Sequence, residues 1–290
     1  MSHDDPARTP SELTVEVQGL RLALRAWGPE DGRPVLALHG WLDNASTFDL
    51  LAPRLAGLRI LALDFPGHGR SEHRHHPSYA FLDYVADVIG VAEALGWSRF
   101  TLLGHSLGAG VAAMVAGAIP ERIERLIAIE GIAPLTDAPE LAPQRLRDAV
   151  TAELAHRPTP RHLADLEAAA QLRSRSSGLP LESARVLVGR SLVPDGDGVR
   201  WSFDPRLRLA SRLRLTDAHV EAFLAAIACP TLLVRARSGW PFDPEKQGRL
   251  LARIRDLRIV DLDGGHHVHL ESPAPVAAAV DDFLRRAIEE

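Results

Sequence analysis

The chain has 290 residues, with 33 basic and 38 acidic side chains and a formal net charge of -5. Hydrophobic residues make up 46% of it and charged residues 24%, which excludes a disordered or fibrous chain. Lys246 is its one lysine and Cys229 its one cysteine: a Schiff-base mechanism has a single candidate, an internal disulfide is excluded, and the acidic balance argues against general nucleic-acid binding.

The first residues, Met1–Pro6, are polar and acidic where a secretory signal would be basic and then apolar. Next, Leu13–Gly19 and Leu20–Trp27 alternate apolar and polar residues about Gly19, which predicts an antiparallel hairpin of half-exposed strands. Val35–Leu38 is a continuous apolar run, the pattern of a strand covered on both faces. Similar runs follow at Ile60–Leu63, Phe100–Leu103, Leu126–Ile129, Thr231–Val234 and Leu257–Leu262. Helix-period segments accompany them at Thr47–Leu55, Tyr79–Leu95, Leu107–Ile119, Glu245–Ile254 and Pro275–Ile288. This alternation predicts an α/β fold with parallel crossovers and a sheet wrapped on both sides. The longest apolar stretch, Gly108–Ile119, is about twelve residues against the roughly 20 that a membrane span needs, so a cytoplasmic protein with no membrane span is expected.

Residues 133–228 break the alternation, with helical patterns, many prolines and no convincing buried strand. A stretch of that length is too long for a connection in a compact sheet and predicts an inserted helical cap, leaving 1–132 and 229–290 as the core. Between His156 and Leu215 it carries eleven arginines against six acidic residues. That excess predicts a solvated helical surface, or else a positive rim attracting anionic substrates or a partner.

Leu102–Gly108 carries the chemistry. Gly104-His105-Ser106-Leu107-Gly108 follows a buried-strand run and opens an alanine-rich helix. A strand turning abruptly into a helix exposes the side chain at the bend, provided that the residues two before and two after it are small. A serine hydroxyl needs a base within hydrogen-bond reach and a group to orient that base. Asp263-Gly264-Gly265-His266-His267-Val268-His269 follows the last strand run, so its loop opens on the rim that the serine faces. His266, directly after two glycines, is the expected base, and His267 and His269 are expected to be loop or packing histidines. Two backbone N–H groups must meet the developing oxyanion. Leu107, at a helix N-terminus, supplies one, and Trp41, after His39-Gly40, the other.

His39-Gly-Trp-Leu-Asp-Asn-Ala-Ser46, Asp64-Phe-Pro-Gly-His-Gly-Arg-Ser71, Gly104–Gly108 and the Gly265-His266 loop together resemble the α/β-hydrolase superfamily, and within it the serine-hydrolase-like proteins. The resemblance implies an α/β-hydrolase fold: a mostly parallel eight-stranded sheet flanked by helices, with the inserted cap. It implies hydrolysis of a small-molecule acyl substrate, a carboxylic ester or related compound, without cofactor or metal.

The acid departs from the common pattern. The usual position follows the seventh strand, where this chain has Gly239; Asp243 lies four residues further on. Glu130 instead ends the sixth strand run, an arrangement that resembles the haloalkane-dehalogenase branch of the fold. Glu130 is preferred to Asp243 as the partner of His266. Dehalogenase and epoxide-hydrolase chemistry are disfavoured, because position 106 is serine and not aspartate, and Leu107 stands where a halide-binding tryptophan would be. The same set could act on C–C bonds, thioesters or lactones, or in cofactor-free perhydrolysis; a non-catalytic binding protein of the fold is the rival from another class. His73-Arg74-His75-His76, with His68, is expected to be a solvated loop rather than a metal site. Trp201, Phe203, Phe223, Trp240 and Phe242 are candidates to line a pocket or to pack.

Overall fold

A computed structural model of the protein describes residues 9–76, 78–158 and 161–286. Met1–Pro6 and the end of the last predicted helix, at Ile288, lie outside the described residues. Strands β1 (Ser11–Val17) and β2 (Leu20–Trp27) form the expected hairpin, with Val17 paired to Leu20 across a turn in which Gln18 and Gly19 both have positive φ. Two central residues of that conformation match the right-handed twist of the strands they join. Next come β3 (Arg33–Leu38), β4 (Leu58–Leu63), α1 (Phe81–Ala94), β5 (Phe100–His105), α2 (Leu107–Ala118) and β6 (Ile123–Ile129). After them lie α3 (Ala142–Ala155), β7 (His162–Leu163), α4 (Leu166–Ser177), α5 (Leu181–Val188), β8 (Leu192–Asp195), β9 (Gly198–Trp201) and α6 (Asp217–Ala226). The chain closes with β10 (Thr231–Ala236), α7 (Pro244–Leu251), β11 (Leu257–Leu262), α8 (Val268–Glu271) and α9 (Pro273–Arg286).

The main sheet has eight strands in the order β1-β2-β4-β3-β5-β6-β10-β11, antiparallel at β1, β2 and β4 and parallel from β4 onward. This is the α/β-hydrolase architecture expected from the sequence. Alternate residues of one strand enter opposite layers. Leu36 and Leu38 pack with Val88 of α1 and Val111, Met114 and Val115 of α2; Val35 and Ala37 pack with Phe48 and with Val276, Val280 and Leu284 of α9. Burial on both faces is why these strands are unbroken apolar runs. β11 differs: it pairs with β10 alone, and Ile259 on it is exposed, so the expected double cover fails at this edge. The predicted Thr47–Leu55 helix is two 3-10 turns, Ala45–Phe48 and Ala52–Arg54, because Pro53 brings no N–H to an α-helical ladder.

The stretch read as a purely helical insertion also contains a three-stranded antiparallel sheet, β7-β9-β8. Its strands are short and half-buried, with none of the apolar continuity that marks the main sheet. Leu163, Ala169, Ala170, Leu187 and Val188 form a small hydrophobic cluster there, joined by Leu270 of α8. α6 packs instead on α2, where a Cβ on Gly117 would lie 2.4 Å from the Phe223 carbonyl oxygen. Among the described residues no helix is long and apolar enough to cross a membrane.

The chain runs from β3 out to β4 and returns on the other side as β5, so the order reverses between β3 and β5. Crevices at such points, beyond the carboxyl ends of the strands, are where ligands bind in sheets of this kind. Leu36 is fully buried beside that point, and Leu36→Ala is expected to cost about 3 kcal/mol of unfolding free energy in urea titration.

Candidate active site

Ser106 stands between β5 and α2 with φ 52° and ψ -114°, outside the regions comfortable for an L-residue and costing on the order of 1–3 kcal/mol. Close packing on both sides sustains it. A Cβ on Gly108 would lie 2.1 Å from the Leu38 carbonyl oxygen, and one on Gly104 2.5 Å from the Ala109 Cα, so only glycine lets α2 sit this near the sheet. The Ser106 N–H donates to the Ile129 carbonyl at 2.9 Å, tying the bend to β6.

The end of β6 repeats the device. Glu130 has φ 53°, its N–H donates to Val234 O at 2.9 Å, and its side chain turns across the sheet end. The carboxylate is 2% exposed and accepts from the Ala236 N–H at 2.5 Å and the Trp240 N–H at 3.0 Å. A Cβ on Gly239 would stand 2.0 Å from Glu130 Oε2. The position where an aspartate is common is therefore glycine because the Glu130 carboxylate fills that space.

The His266 ring bridges the two. Its Nε2 lies 2.9 Å from Ser106 Oγ and its Nδ1 3.2 Å from Glu130 Oε2. A carboxylate can only accept, so Nδ1 carries the proton and Nε2 presents its lone pair to the serine hydroxyl. Burial pushes the Glu130 carboxyl upward, but hydrogen bonds from His266, Ala236 and Trp240 outweigh it and hold the group below the usual carboxylate range. Asp243 is elsewhere: it is exposed and caps α7, accepting from the Glu245 and Lys246 N–H groups at 3.0 and 3.3 Å. The alternative acid is thus a helix cap that does not meet His266.

Among the described residues, the Trp41 and Leu107 backbone N–H groups are donated to no other group. Leu107 opens α2 directly after Ser106. Trp41 lies in a turn closed by the Asp43 N–H to Gly40 O at 3.1 Å, with Leu42 at φ 58°. Its side chain is 52% exposed, and its Nε1–H donates to Leu207 O of the inserted segment at 2.9 Å. His39 braces the loop from behind: the Phe65 N–H donates to its Nε2, so its Nδ1–H donates to Gly40 O at 2.7 Å. Among the candidate pocket aromatics, Trp240 is exposed and its ring lies 5.7 Å from that of His266. Trp201 and Phe203 pair with each other, and Phe223 packs on the core.

Sequence reasoning missed the group beneath this site. His267 and His269 are buried, as is His105, and Asp43 is 2% exposed. His267 Nε2 lies 3.1 Å from Asp43 Oδ2, and Arg173 Nη2 donates to Asp43 Oδ1 at 2.5 Å. Burial pushes the Asp43 carboxyl up, and its interactions with His267 and the Arg173 guanidinium more than reverse it, holding it well below the ordinary range. Burial pushes His105 down to about 4. The available signal was an aspartate two residues beyond the expected oxyanion donor, with three histidines within four residues of the base loop. Donor atoms of Asp43, His105 and His267 lie within 4.8 Å of one another, close enough to hold a metal ion. Arg173 already meets that carboxylate with a positive charge, which opposes a cation there. The expected solvated histidine loop is half right: His75 and His76 are exposed, whereas His68 is buried and Arg74 is buried against Asp87.

The chain belongs to the alpha/beta hydrolase fold family, whose profile matches residues 33–273. It is 34% identical over 295 residues to a serine hydrolase-like protein of Dictyostelium discoideum, covering 94% of this chain and 81% of that one. Among solved structures it is similar to a hypothetical protein of Pseudomonas aeruginosa PAO1, with 46% identity and a TM-score of 0.90 over 94% of this chain and 99% of that one. It is also similar to a thioesterase domain from the curacin biosynthetic pathway, with 29% identity and a TM-score of 0.85 over 94% and 99%.

Glu130 and Asp43 are both more acidic in the folded protein than in the unfolded chain. The stability they contribute is full above the unfolded carboxylate values and is lost as pH falls through the folded ones. Unfolding free energy should therefore drop below about pH 4, and drop less steeply in Glu130→Gln. An unchanged acid slope in that variant would contradict the role given to this carboxylate.

Proposed function

We propose that the protein is a serine hydrolase cleaving carboxylic esters or related acyl compounds through an acyl-enzyme. The observation that carries this reading is the unbroken run from the Ser106 hydroxyl through the His266 ring to the buried Glu130 carboxylate, at 2.9 and 3.2 Å. Ser106 Oγ attacks the carbonyl carbon while His266 Nε2 takes its proton. Glu130 fixes the ring's tautomer and stabilises the imidazolium that forms. The Trp41 and Leu107 N–H groups receive the oxyanion. The imidazolium then protonates the leaving group. Water, deprotonated by the same nitrogen, cleaves the acyl-enzyme and returns the proton to Ser106.

Residues 133–228 act as a cap over this chemistry. Hydrogen bonds from Trp41 to Leu207 O and from Asn44 Nδ2 to Leu187 O support that role, as does the Arg173–Asp43 pair. Acyl thioesters are the second substrate class, favoured by the similarity to a thioesterase domain across nearly the whole chain.

A fluorophosphonate probe should label Ser106, and Ser106→Ala should abolish labelling and lower kcat on short p-nitrophenyl esters and acyl-thioesters by at least about 10⁴-fold, with circular dichroism unchanged. A folded wild-type protein that is neither labelled nor active on either panel would favour a non-catalytic binding protein of the fold. Glu130→Gln should lower kcat by about 10²- to 10⁴-fold while Asp243→Asn stays within about twofold of wild type. The reverse order would move the acid to Asp243.

A further inference from the structure

We propose that Asp43 is a positioning residue for acyl transfer, and that Arg173 of the inserted segment holds it in its working arrangement. The proposal rests on the reading of Ser106, His266 and Glu130 given above.

Asp43 meets the turn that carries Trp41 and the chain neighbours of both His266 and Ser106. Its N–H closes the turn that presents Trp41, donating to Gly40 O at 3.1 Å. Its Oδ2 accepts from His267, the neighbour of His266, at 3.1 Å, and lies 3.6 Å from Nδ1 of His105, the neighbour of Ser106. Its Oδ1 accepts from Arg173 of α4 at 2.5 Å. The packing is tight as well: a Cβ on Gly40 would stand 2.8 Å from Asp43 Oδ2 and 3.0 Å from His105 Nδ1.

The His105 tautomer gives this arrangement its consequence. His105 Nε2 lies 2.8 Å from the His266 carbonyl oxygen, which can only accept, so Nε2 holds the proton. The neutral ring then leaves Nδ1 as a bare lone pair, buried, without a hydrogen-bond partner and facing a carboxylate. Asp43 tolerates that neighbour because His267 and Arg173 supply its donors. Without Arg173, the Asp43 carboxylate keeps His267 as its one side-chain hydrogen-bond donor among the described residues, and its unbalanced charge favours a proton on His105 Nδ1, 3.6 Å from Oδ2. A neutral ring gains that proton only by giving up the one on Nε2, and with it the bond that holds the backbone of His266. A doubly protonated ring keeps both bonds but places a new positive charge 4.9 Å, ring to ring, from the catalytic imidazole. Either route disturbs the base, so a side chain outside the main sheet sets its position.

The test is Arg173→Ala, made in the full-length protein and assayed on a short p-nitrophenyl ester. Turnover per fluorophosphonate-titrated site is expected to fall about 10- to 100-fold with KM within about threefold, because misplacing a base by an ångström costs rate more than binding. Added guanidinium, which fits the vacated and partly open site, should restore part of the loss, and Arg173→Lys should lie between the two proteins. A merely structural role would reduce the titratable fraction and the Tm while leaving kcat per titrated site at the wild-type value. That result would overturn the proposal. Histidine ¹⁵N spectra provide a readout independent of turnover. The ring signals of His105 and His266, assigned with His→Gln variants, should shift in Arg173→Ala, and unchanged signals would overturn the proposal even if the wild-type protein cleaves no ester. Failure of the wild-type protein to take the probe would instead strike the catalytic reading.

Discussion

A carboxylate almost entirely removed from water must be met by donors or it will hold a proton. Glu130 is met by three: the main-chain N–H groups of Ala236, at the end of β10, and of Trp240, in the loop after it, and the His266 ring. The rest of the site follows from that bond. It fixes the proton on His266 Nδ1, which frees Nε2 for Ser106, and it requires glycine at 239, where any side chain would collide with the carboxylate. The end of β10 and the loop after it meet this carboxylate through their backbone, while the acidic side chain itself comes from the end of the neighbouring strand, β6.

Ser106 and Glu130 share a second constraint. They end adjacent parallel strands, β5 and β6, and both have φ near +50°, where a side chain leaves the strand direction. The two bends are tied in sequence: Ser106 N–H to Ile129 O, then Glu130 N–H to Val234 O. Two strained residues side by side persist because the strands beneath them are fixed by burial on both faces.

Residues 133–228 meet the rest of the chain through buried and part-buried charge pairs as well as by apolar contact. Arg190 donates to Asp64 and Glu12 of the core at 2.8 and 2.5 Å, and Arg173 does the same to Asp43. Such pairs add little net stability compared with apolar packing, but removing one partner strands the other charge in the interior. They fix how the segment sits on the core more than how strongly it adheres. The arginine excess expected to form a solvated surface is thus divided: six of the eleven are exposed, four are half-buried and Arg190 is buried.

The sequence by itself determined the strands of the main sheet and most of the helices between them, its double cover away from the β11 edge, and the serine bend. Each depends on local pattern: apolar runs of strand length, helical periodicity, and glycines two residues either side of one serine. His266 and Glu130 were legible for the same reason, since a residue ending a strand run must lie on the rim. Asp43, His105, His267 and Arg173 were not, because a polar side chain carries no mark in one dimension of whether its partner is water or a charge 130 residues away. The three-stranded sheet of the insertion was lost for want of burial, and the Thr47–Leu55 helix was misjudged by weighing periodicity over Pro53. Only tertiary structure shows which of Glu130 and Asp243 meets the His266 ring, because that is a matter of distance: both are carboxylates after strands on one rim, but one occupies the space that Gly239 leaves empty while the other caps a helix.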